Sequence, residues 1–200
     1  MKHIMDQRKI PKVQVERAIG PILGFFIEEL LSVPLNDELV MICAEFPLRK
    51  LTAGSNQSTN IDWLLYGKTN RQLVFVELKT TGAFNGAQFE RYCDAVRSVK
   101  GSAEHLLADV REIRRHSDQQ AKYDELLKPI RTRPFSDCTK ATLVYIMPEM
   151  PASEITVDGV ELKWLRLCNL KVREGFRFAR EWKVIQECLE EFREQKQIAR

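Results

Sequence analysis

The chain is predicted to form an α/β domain in which a helix, a three-stranded antiparallel meander, a helical layer and a returning strand make the core. A further strand and a long helix extend it at the C-terminus. Three observations predict this. Residues 60–66 and 73–80 are short β-branched or aromatic runs flanking the turn-rich residues 67–71, so they read as a hairpin. Residues 141–147 are almost continuously apolar and return after helical segments, the pattern of a buried strand laid parallel to its neighbour. Residues 13–31 carry apolar side chains at the helical period.

In that first helix Val15, Ile19, Ile22, Phe26 and Leu30 centre the apolar stripe. Glu28 points nearly opposite to it, while Glu16 and Glu29 lie on its flanks, from which a side chain can reach a sheet edge. Glu16 also suits a plain helix N-terminus, where an acid is favourable. Pro21 kinks or restarts the helix. A strand over residues 39–46 follows, then a polar Ser/Asn/Thr loop over 52–60.

The hairpin carries the chemistry. A turn centred on Thr69 and Asn70 sets Asp62 directly opposite Glu77. Side chains alternate along a strand, so Val74, Val76 and Leu78 share one face and Phe75, Glu77 and Lys79 the other, with Asp62 and Leu64. Like charges opposed across a ladder repel by up to about 1 kcal/mol. A hard divalent cation bridging both carboxylates would relieve this, and Lys79 places an ammonium beside the same spot. Taken alone, Glu77-Leu78-Lys79 also suits an ordinary half-exposed strand.

A helix beginning near Gly86 and covering residues 88–99 then sets Gln88 and Tyr92 on one face, four positions apart. Two more helical runs follow, over 103–115 and 119–127, with Ser117 or Asp118 as the cap of the second. Pro129 and Pro134 are predicted to break the pattern before the 141–147 strand. Residues 160–167 read as another strand and 176–197 as an amphipathic helix. The latter has Phe178, Trp182, Ile185, Leu189 and Phe192 on one side, packed on the domain or, as the alternative, on a second copy in a homodimer. Trp164 and Trp182 read as core residues rather than base-stacking platforms.

The order Asp62, then Glu77-Leu78-Lys79, then Gln88-x-x-x-Tyr92 resembles the PD-(D/E)XK phosphodiesterase superfamily, and within it the nucleases of the RecB and lambda-exonuclease kind. Ala44-Glu45-Phe46-Pro47-Leu48 is similar to the first strand of that group. The resemblance spans about residues 13–147, leaving 148–200 as an extension of a single domain covering 1–200; Asn60 and Ile61 stand where the superfamily's Pro would precede the Asp. It implies a restriction-endonuclease-like core and a metal-dependent nuclease. Asp62, Glu77 and the carbonyl of Leu78 would then hold Mg²⁺ or Mn²⁺, and Lys79 would orient the attacking water. Gln88 and Tyr92 would bind the nucleic-acid backbone or position the metal-bound water. A helix Glu usually completes such sites, and the resemblance favours Glu16 over Glu29.

Composition is consistent with this and excludes other classes. With 200 residues and 44% hydrophobic content the chain can bury a full core. A net charge of +3 says little, but Arg111, Arg114, Arg115 and His116, then Lys128, Arg131 and Arg133, form a basic run that suits either phosphates or a solvated helix face. The 5 cysteines, at 43, 93, 138, 168 and 188, form no Cys-x-x-Cys pair, which argues against zinc or an iron-sulfur cluster and for buried thiols in a reducing compartment. His3, His105 and His116 are equally dispersed. The apolar stretch 21–27 is too short for a bilayer and no signal peptide is expected, so a cytoplasmic protein without membrane contact follows. The two functional readings are a nuclease, with DNA the favoured substrate, and an inactive nucleic-acid-binding or protein-interaction module on the same fold; another phosphate-directed enzyme is a weaker third.

Overall fold

A computed structural model describes residues 15–49, 58–80, 85–99, 102–131, 137–151 and 155–198. Helix α1 (Val15–Leu35) is followed by strands β1 (Leu39–Arg49), β2 (Ser58–Gly67) and β3 (Gln72–Leu78). Helices α2 (Gly86–Ser98), α3 (Glu104–Arg115) and α4 (Gln120–Arg131) come next, then β4 (Lys140–Met147), β5 (Glu161–Arg166) and α5 (Ala179–Ile198). The five strands form one mixed sheet in the order β1-β2-β3-β4-β5. The first three are antiparallel; β4 and β5 run parallel to β3.

Both faces of this sheet are covered, which explains why β3 is buried along its whole length. On one face Leu73, Phe75, Leu143 and Tyr145 pack under α2, α3 and α4 through Phe89, Tyr92, Val96, Leu107 and Leu127. On the other, Val74, Val76, Leu78, Val144 and Ile146 meet Leu23, Ile27 and Leu31 of α1 and Trp182 of α5. The apolar centre of α1 therefore lies nearer Leu23 and Ile27 than the sequence predicts; Ile22 is only half-buried. Val13 lies outside the described residues, as do the side chains of Val15 and Glu16. The window Ala18–Leu35 is long and apolar enough by length and composition to cross a membrane, a longer stretch than residues 21–27, and half of it is buried inside the fold.

The hairpin register that places the site is clamped from outside. Asp37, 6% exposed, accepts from the N–H groups of Thr69 (2.8 Å) and Asn70 (3.3 Å) and from Gln72 Nε2 (3.1 Å). The Gln72 amide oxygen in turn accepts from Thr142 Oγ1 of β4 (3.0 Å). Gly67 makes room for this clamp, since a Cβ there would fall 2.1 Å from Asp37 Oδ2. With the turn so held, Trp63 pairs with Val76 and Leu64 with Phe75. The paired register ends at Trp63 and Val76, and Asp62 and Glu77 are the next residues on their strands.

Other boundaries differ from expectation for local reasons. Strand β1 continues through Pro47 to Arg49, because Pro47 sits on the edge strand, where a missing N–H is tolerated. Helix α4 passes Pro129 and ends at Arg131; Arg133 and Pro134 lie outside the described residues. The polar loop ends earlier than predicted, with β2 starting at Ser58.

Helix α1 is tied to the C-terminal segment through Glu29. Its carboxylate is buried and accepts from Arg173 Nε and Nη2 (both 2.7 Å) and from the Arg173 N–H (3.0 Å). The hydrogen bond from the Arg173 side chain holds the Glu29 carboxyl below the usual carboxylate range, against the opposing effect of burial. A depressed folded-state pKa contributes stability above the unfolded value, and that contribution disappears as pH falls through the folded value. Because the Arg173 side chain is 61% exposed, solvent screening keeps the effect modest. Between about pH 5 and about pH 3, Glu29→Gln should lose less stability than wild type in urea titrations; parallel losses would remove this linkage.

Candidate active site

Glu77 ends the central strand on the face covered by α2. A carboxylate 2% exposed there needs partners, because an uncompensated buried charge is strongly destabilising. It has them. Lys79 Nζ lies 2.5 Å from Oε1, and the Tyr92 hydroxyl donates to Oε2 at 2.9 Å. Lys79 is positioned by strand geometry, its N–H donating to the Ile146 carbonyl at 2.8 Å, and its ammonium also donates to Gln88 Oε1 at 3.2 Å.

Helix α2 delivers the rest of this network. Asn85 caps it by accepting from the Gln88 N–H at 3.1 Å. One turn apart, Gln88 Nε2 donates to the Tyr92 hydroxyl at 2.7 Å. That hydroxyl has two acceptors in reach, Glu77 Oε2 and the Asn60 carbonyl at 2.6 Å, so its single proton is shared between strands β2 and β3. Burial first, and then the Glu77 charge, push the Tyr92 hydroxyl far above its ordinary value, as they do Tyr145 beside it. Both phenols therefore stay protonated.

Asp62 is placed differently from its expected face. Cys43 and Leu64 pair and both face the α2 side, yet so do Phe46 and Ile61, which pair three residues further along β1 and three back along β2. Alternation is thus reset on both strands at the Glu45–Asp62 rung, where Glu45 has φ of 53°, a left-handed conformation uncommon outside glycine. The Asp62 carboxylate turns sideways out of this kink, and its Oδ2 accepts from the Leu78 N–H at 2.6 Å. In an extended strand the N–H and C=O of one residue point to the same side, so the Leu78 carbonyl faces the Asp62 side as well. The repulsion predicted between Asp62 and Glu77 is accordingly met in part within the chain, by a backbone N–H on one carboxylate and an ammonium on the other.

The helix acid predicted to complete the site is not supplied by Glu29, which is engaged by Arg173. The physical reason is that α1 packs on the opposite face of the sheet from Phe75 and Tyr92. The Glu16 side chain lies outside the described residues. Among the described residues no cluster of three or more His, Cys, Asp or Glu side chains is arranged to hold a metal ion. The available donors are two carboxylates and a carbonyl, an all-oxygen set that suits Mg²⁺, which takes one or two carboxylates and keeps waters.

Much of the basic run is neutralised by its own helices. Arg114 makes a bidentate pair with Asp124 (2.6 and 2.9 Å), Arg115 and His116 meet Glu112, and Lys128 meets Glu125. These pairs lie within or between α3 and α4. Burial pushes the thiol of Cys43 up to about 12 and those of Cys93 and Cys138 up to about 11, which keeps them protonated and poor nucleophiles.

Sequence reasoning misses the Asn60 carbonyl and Tyr145, and it names Glu45 only as part of a strand motif. Asn60 Nδ2 also donates to Glu45 Oε2 at 3.2 Å, linking the kinked rung to the tyrosine. Tyr145 is set beside Glu77 by the parallel register and lies against Trp164, ring centroids 4.9 Å apart. No protein-family model, curated protein or solved structure matches this chain.

Proposed function

We propose that this protein is a metal-dependent nuclease of the PD-(D/E)XK kind, hydrolysing phosphodiester bonds in nucleic acid, with DNA the favoured substrate. One observation carries the reading: a buried carboxylate, a lysine ammonium, an amide and a phenol, Glu77, Lys79, Gln88 and Tyr92, form one hydrogen-bonded set at the end of the central strand, with Asp62 on the neighbouring β2. A binding surface has no need to keep two acids together facing a polyanion. The helix, antiparallel meander, helices and parallel strand also suit a restriction-endonuclease-like core.

Asp62, Glu77 and the Leu78 carbonyl would hold Mg²⁺ or Mn²⁺ in this reading, and the bound ion would supply polarisation of the phosphate and activation of water. Lys79 orients that water and offsets charge developing on the phosphate oxygens. Gln88 and Tyr92 fix Lys79 and Glu77 and hydrogen-bond the nucleic-acid backbone. Water oxygen bonds to phosphorus as one ester P–O bond breaks, and the proton that the water gives up balances the one that the leaving oxygen takes.

A second reading, a binding module without catalysis, is favoured by one fact: Lys79 and Tyr92 already satisfy the two oxygens of Glu77. Incubating the purified protein with linear, circular and single-stranded DNA and with RNA, in Mg²⁺, Mn²⁺ or EDTA, separates the two. Cleavage in metal and none in EDTA is expected; binding without cleavage in any condition leaves the second reading. Calorimetric titration with Mn²⁺ should give a binding heat that Asp62→Asn removes.

A further inference from the structure

Two arginines on the site's own face of the sheet, Arg91 and Arg166, bury their Nε atoms with no hydrogen-bond partner among the described residues. A buried donor on a cation that lacks an acceptor is costly, and both residues as a whole are half-buried rather than fully covered, which leaves part of each open to an acceptor brought by another molecule. The basic residues of α3 and α4 described above show the contrast, since they find carboxylates of their own.

Placement relates both arginines to the reacting centre. Arg91 stands three positions after Gln88 and one before Tyr92, on the stripe Gln88, Arg91, Tyr92, Ala95 of α2. Phe89 leans on Tyr145 and Trp164, with ring centroids 5.8 and 6.3 Å away, and so points to the β4–β5 side. Arg91, two residues on and about 200° round the helix axis, takes the other flank, toward β2.

Arg166 lies on the opposite side. It closes β5 and pairs with Met147, two residues past Tyr145, which pairs with Glu77. The Lys79 N–H bond to Ile146 continues that register, so Lys79, Met147 and Arg166 share one row at the C-terminal ends of the parallel strands. Trp164, two residues before Arg166, lies against Tyr145, which puts Arg166 on the site face. Two strand spacings set its backbone roughly 10 Å from that of Lys79.

The geometry points to Arg91 and Arg166 as two phosphate subsites that hold the backbone of a polynucleotide on either side of the phosphate at Glu77 and Lys79. This rests on the nuclease reading for the identity of that central phosphate. Guanidinium forks suit phosphate oxygens, and two of them flanking one centre select a chain over a mononucleotide or a phosphomonoester.

The test is fluorescence anisotropy of labelled oligonucleotides in EDTA, across a salt series, for wild type, Arg91→Gln, Arg166→Gln and the lysine variants. Each glutamine variant should bind more weakly and lower the salt slope by about one unit, while each lysine variant keeps the slope. In metal, KM should rise with kcat nearly unchanged. Unaltered affinity and slope in both glutamine variants would overturn the subsites. Binding that depends on both arginines in a protein that never cleaves sinks the nuclease reading and leaves the subsites standing.

Phenylglyoxal labelling of the wild-type protein, read by mass spectrometry, covers the case of a variant that does not fold. An oligonucleotide should shield both arginines and inorganic phosphate at equal phosphate concentration should not. Equal shielding by the two overturns the preference for a chain.

Discussion

Lys79→Ala is expected to slow phosphodiester cleavage by about 10²–10⁴-fold while nucleic-acid binding stays within a few-fold. The Lys79 ammonium touches Glu77 and also reaches Gln88, so it links the acid on the strand to the helix beside it. Removing it leaves a carboxylate 2% exposed that has lost its ammonium partner, and breaking a pair of this burial costs about 3–5 kcal/mol. Lys79→Met fills the volume without the charge and separates the two effects. Single-turnover rates in Mg²⁺ and thermal melting check both. A methionine variant that cuts at the wild-type rate would remove Lys79 from the reaction.

Trp182→Ala should cost about 3–5 kcal/mol, seen as a lower urea midpoint in one cooperative transition. Trp182 is 2% exposed, packs on Phe26 at 5.3 Å between ring centroids and donates its indole N–H to the Leu170 carbonyl at 3.1 Å. The residues after β4 thus complete the core under α1 rather than hanging from it. A separate low-stability transition for the C-terminal helix, or a loss below about 1 kcal/mol, would show the extension to be dispensable.

These two sites differ in how far they were legible. Lys79 could be found because its partners lie within one hairpin and the helix that follows, where strand alternation and helical spacing act over short stretches. Trp182 could be placed in the core by its apolar stripe, but not against Phe26, since no local rule joins residues so far apart in sequence. Its neighbours on the stripe, Phe178 and Ile185, are only partly buried. The long-range Glu29–Arg173 pair was equally hidden, and with it the reason Glu29 cannot serve the site.

By itself the sequence determined the local geometry: the hairpin, a turn at Thr69 and Asn70 that sets its register, and Gln88 and Tyr92 on one helix face. Backbone sterics and side-chain periodicity act over a few residues, so those features are written in a short window. Only the tertiary structure decided the sideways turn of Asp62 at a kink shared with β1, the Tyr92 hydroxyl bridging β2 and β3, and the seat of Tyr145 beside Glu77. It also decided that α1 lies across the sheet from the site. Each depends on which surfaces meet when both faces of the sheet are buried at once, a condition set by the whole chain.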